Sequence, residues 1–108
     1  MRKTAIVAAV RTPVGRIRGV LSDVPAHQLG ALVVREAVKR AGIDGSMIDE
    51  VIYGNLYSHD ISNMGRYVAL EAGLPITVPG ITVDRRCGTS LTAISLADAL
   101  IRAGDADC

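Results

Sequence analysis

The chain has 108 residues, 49% hydrophobic and 21% charged, with a formal net charge of +1. That is enough for one small domain and too apolar for a disordered segment, and the near-zero charge removes any electrostatic case for nucleic acid or a membrane surface as a partner. With no Phe and no Trp the core must come from Ala, Val, Ile and Leu, and two cysteines are too few for a disulfide scaffold, so a reducing, cytoplasmic setting is expected.

The N-terminus carries Arg2 and Lys3 before a short apolar run, Ala5-Ile6-Val7-Ala8-Ala9-Val10. Arg11 closes the run too early for a secretion signal, and residues 4–10 read as a buried first strand. No apolar run reaches the ~20 residues of a membrane span. Residues 11–25 form a loop broken by Pro13, Gly15, Gly19 and Pro25. A helix follows over 26–41, with Leu29, Leu32, Val33, Ala37 and Ala41 on one face and Arg35, Glu36, Lys39 and Arg40 on the other. Gly42 is suited to stop it, and Ser46 to Asp49 reads as a short helical turn.

Residues 51–56 read as a second strand and 57–63 as a polar loop. Met64 to Ala72 is a short helix, ended by Gly73-Leu74-Pro75. A third strand spans 80–84 and a third helix 87–103, with Gly104 behind it. Leu91, Ile94, Leu96, Ala97, Leu100 and Ile101 spread around most of that helix, a pattern that calls for cover on several sides. The order β-α-β-α-β-α, with continuous apolar strands, predicts an α/β fold on a parallel sheet with right-handed crossovers. The last residues, Gly104-Asp105-Ala106-Asp107-Cys108, read as a turn toward a fourth strand that is not in the sequence, so the chain is expected to be an interrupted domain.

Cys87 lies where the third strand turns into the third helix, in Val83-Asp84-Arg85-Arg86-Cys87-Gly88-Thr89-Ser90. The first turn of a helix offers free N–H groups and a partial positive charge, and both favour a thiolate. Gly88 allows close approach of a backbone or a carbonyl. Two readings stand at this level: a nucleophile that carries an acyl group as a thioester, or an inert packing cysteine. His27 and His59 have no second ligand at metal spacing, so no metal site is expected. His59 is an available base within the chain, although a solvated loop histidine is the common case. Arg66 reads as an ion-pair or subunit-contact residue, and Asp105 and Asp107 as turn residues. Gly15, Arg16 and Gly19 lack the spacing of a phosphate loop. Cys108 reads as packing or a free end.

Taken together, several segments resemble the thiolase family. They are Arg11-Thr12-Pro13-Val14-Gly15, Val24-Pro25-Ala26-His27-Gln28-Leu29-Gly30, Glu50-Val51-Ile52-Tyr53-Gly54-Asn55, Ala72-Gly73-Leu74-Pro75, Val78-Pro79, Val83-Asp84-x-x-Cys87-Gly88 and Ala103-Gly104-Asp105-Ala106-Asp107. Each is weak alone, and their order and spacing are specific. The resemblance implies residues 1–108 are a partial thiolase N-terminal domain. The enzyme would be an acetyl-CoA C-acyltransferase active in fatty acid metabolism, with Cys87 holding the acyl group and coenzyme A thioesters as substrates rather than as a cofactor. It also implies a homo-oligomer or a complementary C-terminal chain. The activating histidine, a second acid/base cysteine and the coenzyme A pocket would lie downstream, so the isolated chain is expected to be inactive.

The chain departs from the family at Asp84, where Asn is common, at Thr89-Ser90, where Ser-Gly is frequent, and at Ser62, where Gln is frequent. Asn63 and Arg66 fit. The cysteine motif is also similar to that of ketoacyl synthases, which stay open as an alternative, as does a non-catalytic remnant acting through chain association.

Overall fold

The computed structural model describes residues 2–108. Helix α1 covers Ala26–Ala41, the range its amphipathic spacing predicts. Pro25 precedes it and fixes the entering backbone. Lys39 and Arg40 sit in its last turn, where positive charge is favoured. Gly42 ends it in the left-handed region at φ 67°, its N–H bonded to the Lys39 carbonyl. A 3-10 turn at Gly45–Met47 follows, capped by Asp44 through the Ser46 N–H.

Strand β1, Val51–Gly54, pairs in parallel with β2, Gly80–Val83, in the register Val51 to Gly80 through Gly54 to Val83. Helix α2, Met64–Glu71, connects them, making one βαβ unit of an α/β fold. Asn63 ties this unit together: its Oδ1 accepts the Arg66 N–H and the Thr82 hydroxyl, and its Nδ2 donates to the Gly80 carbonyl. The cap therefore fixes the start of α2 to the neighbouring strand. Gly65 completes the join, because a Cβ there would run into the Ile81 backbone and push α2 off the sheet. Helix α3, Thr89–Ala103, ends at Gly104, also left-handed, at φ 86°.

The core lies between α1, α2 and the sheet. Ala31, Val51, Ala69, Ala72, Leu74 and Val78 form it, with Val34, Val38, Ile48 and Tyr53 packed around. Met64 and Val68 are the largest fully buried side chains. Among the described residues Arg66 makes no ion pair: its guanidinium donates to the carbonyls of Val78 and Ile76 and braces the turn before β2. His27 joins α1 to α2 through the Glu71 carboxylate, 2.6 Å from its Nδ1, with its ring edge-on to Tyr67.

Two expectations need correction. Residues 4–10 form no strand, and β1 pairs with β2 alone. Ile6 and Val7 stay 75% and 68% exposed. The segment runs beside Val34, Ala37 and Tyr53 with a gap between them, so the apolar run is real but makes no ladder, and a strand exists only with a partner for its N–H and C=O groups. Helix α3 also lacks the expected cover. Thr89 is its one buried residue, while Leu91 is 70% and Ile94 52% exposed.

Candidate active site

Both strands point their C-terminal ends to the same side, the usual position of ligand sites in open α/β sheets. β2 ends at Val83 and the chain enters Asp84-Arg85. A 3-10 turn, Arg86–Gly88, then leads directly into α3. The helix therefore begins two residues after Cys87, not at it. Cys87 is exposed and its thiol is free. Together with Arg86 and Ser90 it lines a groove of about 440 Å³, whose other lining residues include Ile52, Gly54 and Leu56 from the β1 side and Ile94 from α3. Tyr53 lines it too, and burial raises the pKa of its phenol, so the ring is neutral at physiological pH.

The turn that carries Cys87 is held at both ends. Behind it, Thr89 is 4% exposed. Its Oγ1 accepts the Arg85 N–H at 2.8 Å and donates to the Arg86 carbonyl at 2.7 Å. The Thr89 methyl fills the space that a Cβ on Gly54 would take, so the start of α3 sits directly on the end of β1. Ahead of the turn, Asp84 Oδ1 accepts the Arg86 N–H at 2.9 Å and Oδ2 pairs with its guanidinium at 2.9 Å. Arg86 has φ 46°, a left-handed conformation that costs a non-glycine residue about 1–3 kcal/mol. Its guanidinium also lies 5.9 Å from the Tyr57 ring centre, within cation–π range.

The other sequence candidates fall elsewhere. His27 is part of the α1–α2 junction. His59 is exposed in the loop after β1 and is not among the residues lining the Cys87 groove. Cys108 is remote in role: its N–H donates to the Asp49 carboxylate and its carbonyl accepts the Asp49 N–H. Partial burial, with the Asp49 carboxylate adding to it, pushes the Cys108 thiol pKa up. Asp105 belongs to the turn closing α3, where its N–H bonds to the Leu100 carbonyl. Asp107 pairs with Arg2 and donates its N–H to Asp49. Among the described residues no three His, Cys, Asp or Glu side chains gather as a metal site, and no helix is long and apolar enough to cross a membrane. The sequence marks Thr89 only as a departure from the family pattern and Gly54 only as part of a strand segment. Helix α3 has no side-chain cap, and the Thr89 hydroxyl serves the turn before it instead.

The family described as thiolase, N-terminal domain, matches residues 4–108. The chain belongs to the thiolase family. An acetyl-CoA acetyltransferase of Syntrophomonas wolfei is 47% identical over 107 residues, covering 98% of this chain and 27% of that protein. The Pseudomonas aeruginosa acetyl-CoA acetyltransferase is 43% identical, covering 99% of this chain and 28% of its own length. The crystal structure of the Bacillus anthracis acetyl-CoA acetyltransferase superposes with a TM-score of 0.89 at 40% identity, over 94% of this chain and 26% of that one. A thiolase of Ascaris suum, solved in complex with coenzyme A, superposes at 0.87 with 31% identity, over 92% and 26%. This chain thus spans just over a quarter of the length of these thiolases.

Proposed function

We propose that this chain is the nucleophile-bearing N-terminal part of a thiolase-type acyltransferase and that Cys87 accepts the acyl group. The observation that carries the reading is the position of Cys87: an exposed thiol in a braced turn at the head of α3, beside an open groove at the C-terminal ends of the strands. The Cys87 sulfur attacks the carbonyl carbon of an acyl-coenzyme A. A new C–S bond forms to Cys87, the C–S bond to coenzyme A breaks, and coenzyme A leaves with the proton that Cys87 gave up. The acyl group then passes to free coenzyme A or to a second acyl-coenzyme A.

The same reading makes coenzyme A and its thioesters the small-molecule partners, with no nucleic acid and no membrane involved. It assigns the complete enzyme to fatty acid metabolism in the cytoplasm, as a homo-oligomer or with a complementary C-terminal chain. Turnover needs a base, a second acid/base group and a coenzyme A pocket, which the family resemblance assigns to a downstream part of the enzyme. Residues 1–108 alone are therefore expected to take up an acyl group slowly, at best once, and not to cleave ketoacyl-coenzyme A. An association-only role has one observation in its favour, the exposed Leu91–Ile94 face of α3.

The experiment is incubation of the folded chain with acetyl-coenzyme A followed by peptide mass mapping. Acetylation at Cys87, lost in Cys87→Ser and absent from Cys108, supports the proposal. Equal labelling of both cysteines, or none at Cys87, rejects it. Multiple turnovers of ketoacyl cleavage by the 108-residue chain would show that it needs no further groups.

A further inference from the structure

We infer that Asp84 is a positioning residue for the Cys87 nucleophile, acting through the backbone of Arg86. The inference rests on Cys87 being the nucleophile proposed above. The family resemblance leaves Asp84 unexplained, because an extra carboxylate three residues before a thiol opposes thiolate formation. The geometry supplies a different task for it. One oxygen accepts the Arg86 N–H and the other accepts its guanidinium, each at 2.9 Å. Both oxygens therefore act on one residue, and that residue is the left-handed one immediately before Cys87.

An arginine does not adopt φ 46° unaided. The Asp84 bond to its N–H is an Asx turn that fixes the peptide plane entering Arg86, and the ion pair holds the side chain to the same carboxylate, so the residue is gripped on both sides of its N–Cα bond. The kink turns the chain out of β2 and sets the Arg86–Gly88 turn at the start of α3. Thr89 anchors the far side of that turn through the Arg85 N–H and the Arg86 carbonyl, with no bond to Asp84 itself. Without Asp84, Arg86 relaxes toward negative φ and Cys87 leaves the head of the helix.

Charge and clasp predict opposite signs. If Asp84 acted only through its charge, removing it would speed reaction at Cys87. If it acts as a clasp, Asp84→Ala slows it. Asp84→Asn keeps the oxygen that accepts the Arg86 N–H and should restore reactivity. Arg86→Gly makes the left-handed turn free of strain, so Asp84→Ala in that background should have little effect, the signature of two residues acting through one another.

The experiment measures iodoacetamide alkylation of Cys87 at neutral pH in the full chain, with Cys108 as the internal control and circular dichroism as the check on folding. The expected result is about a tenfold slower reaction at Cys87 in Asp84→Ala, near-native rates in Asp84→Asn and in Asp84→Ala/Arg86→Gly, and an unchanged Cys108. An Asp84→Ala rate equal to or above the native one, or no recovery in the double variant, overturns the inference. Should Asp84→Ala unfold, the comparison of Arg86→Gly with Asp84→Ala/Arg86→Gly still decides, since equal rates are required. Alkylation needs no acyl chemistry, so this inference and the acyltransferase reading fail separately: the first in these rates, the second in the acetylation map.

Discussion

The two ends of the βαβ unit are built to different standards. Around α2 the packing is closed: Val68 is 0% and Met64 1% exposed, Asn63 laces the helix to β2, and Arg66 braces the loop behind. Around α3 it is open. That helix rests on β1 through Thr89 and leaves Leu91 and Ile94 to solvent, while residues 4–10 run past without pairing. The lesson is one of division. The closed part holds the largest fully buried side chains, and the open part carries the thiol. A large exposed apolar face usually marks an interface, and an unpaired strand edge is a template for association.

The sharpest way to break this comparison is to cut into each part equally. Met64→Ala should cost about 2–5 kcal/mol, the range for a truncated buried side chain. Leu91→Ala should stay within about 0.5 kcal/mol, as for exposed sites. Urea unfolding of both variants checks it, and comparable losses would mean α3 is covered in solution. Next in size is association. The isolated chain is expected to self-associate, and Leu91→Lys with Ile94→Lys should shift it toward monomer in sedimentation. A native chain that is monomeric at high concentration would falsify the view of α3 as an uncovered interface.

A smaller effect separates the two thiols. Cys108 has its pKa raised by partial burial and by Asp49, so less of it is thiolate at any given pH. Its alkylation should rise with pH later than that of a free cysteine, near 8.5, and Asp49→Asn should bring the onset down. The smallest effect is the Asp49 carboxylate itself, whose pKa is lowered by the N–H groups of Asp107 and Cys108. A lowered carboxylate adds stability that is present above its unfolded value of about 3.9 and is lost as pH falls through the lower folded value. Hydrogen exchange at the Asp107 and Cys108 amides should show that loss on acidification, and Asp49→Asn should abolish the pH dependence.

Much of this was legible in the chain because it is local. The approximate limits of α1 follow from its apolar period, Pro25 and Gly42. The helix ending at Gly104 and the turn at Cys87 follow from the same kind of punctuation. What escaped is non-local. The run 4–10 has the composition of a buried strand, but pairing depends on a neighbour that composition does not name. The Gly54–Thr89 contact joins residues far apart in the chain. Arg86 was missed for a third reason: arginine is no marker of positive φ, and its conformation is imposed by Asp84.

The Gly54–Thr89 contact also sets the order in which this protein can change. A Cβ at position 54 collides with the Thr89 methyl but lies an ordinary 3.6 Å from the Thr89 Cβ. Serine at 89 keeps the hydroxyl that holds Arg85 and Arg86 and gives up only that methyl. Thr89→Ser is therefore a permissive step and Gly54→Ala the step it permits. Taken in reverse, the lineage passes through a sequence whose active turn no longer seats on the sheet.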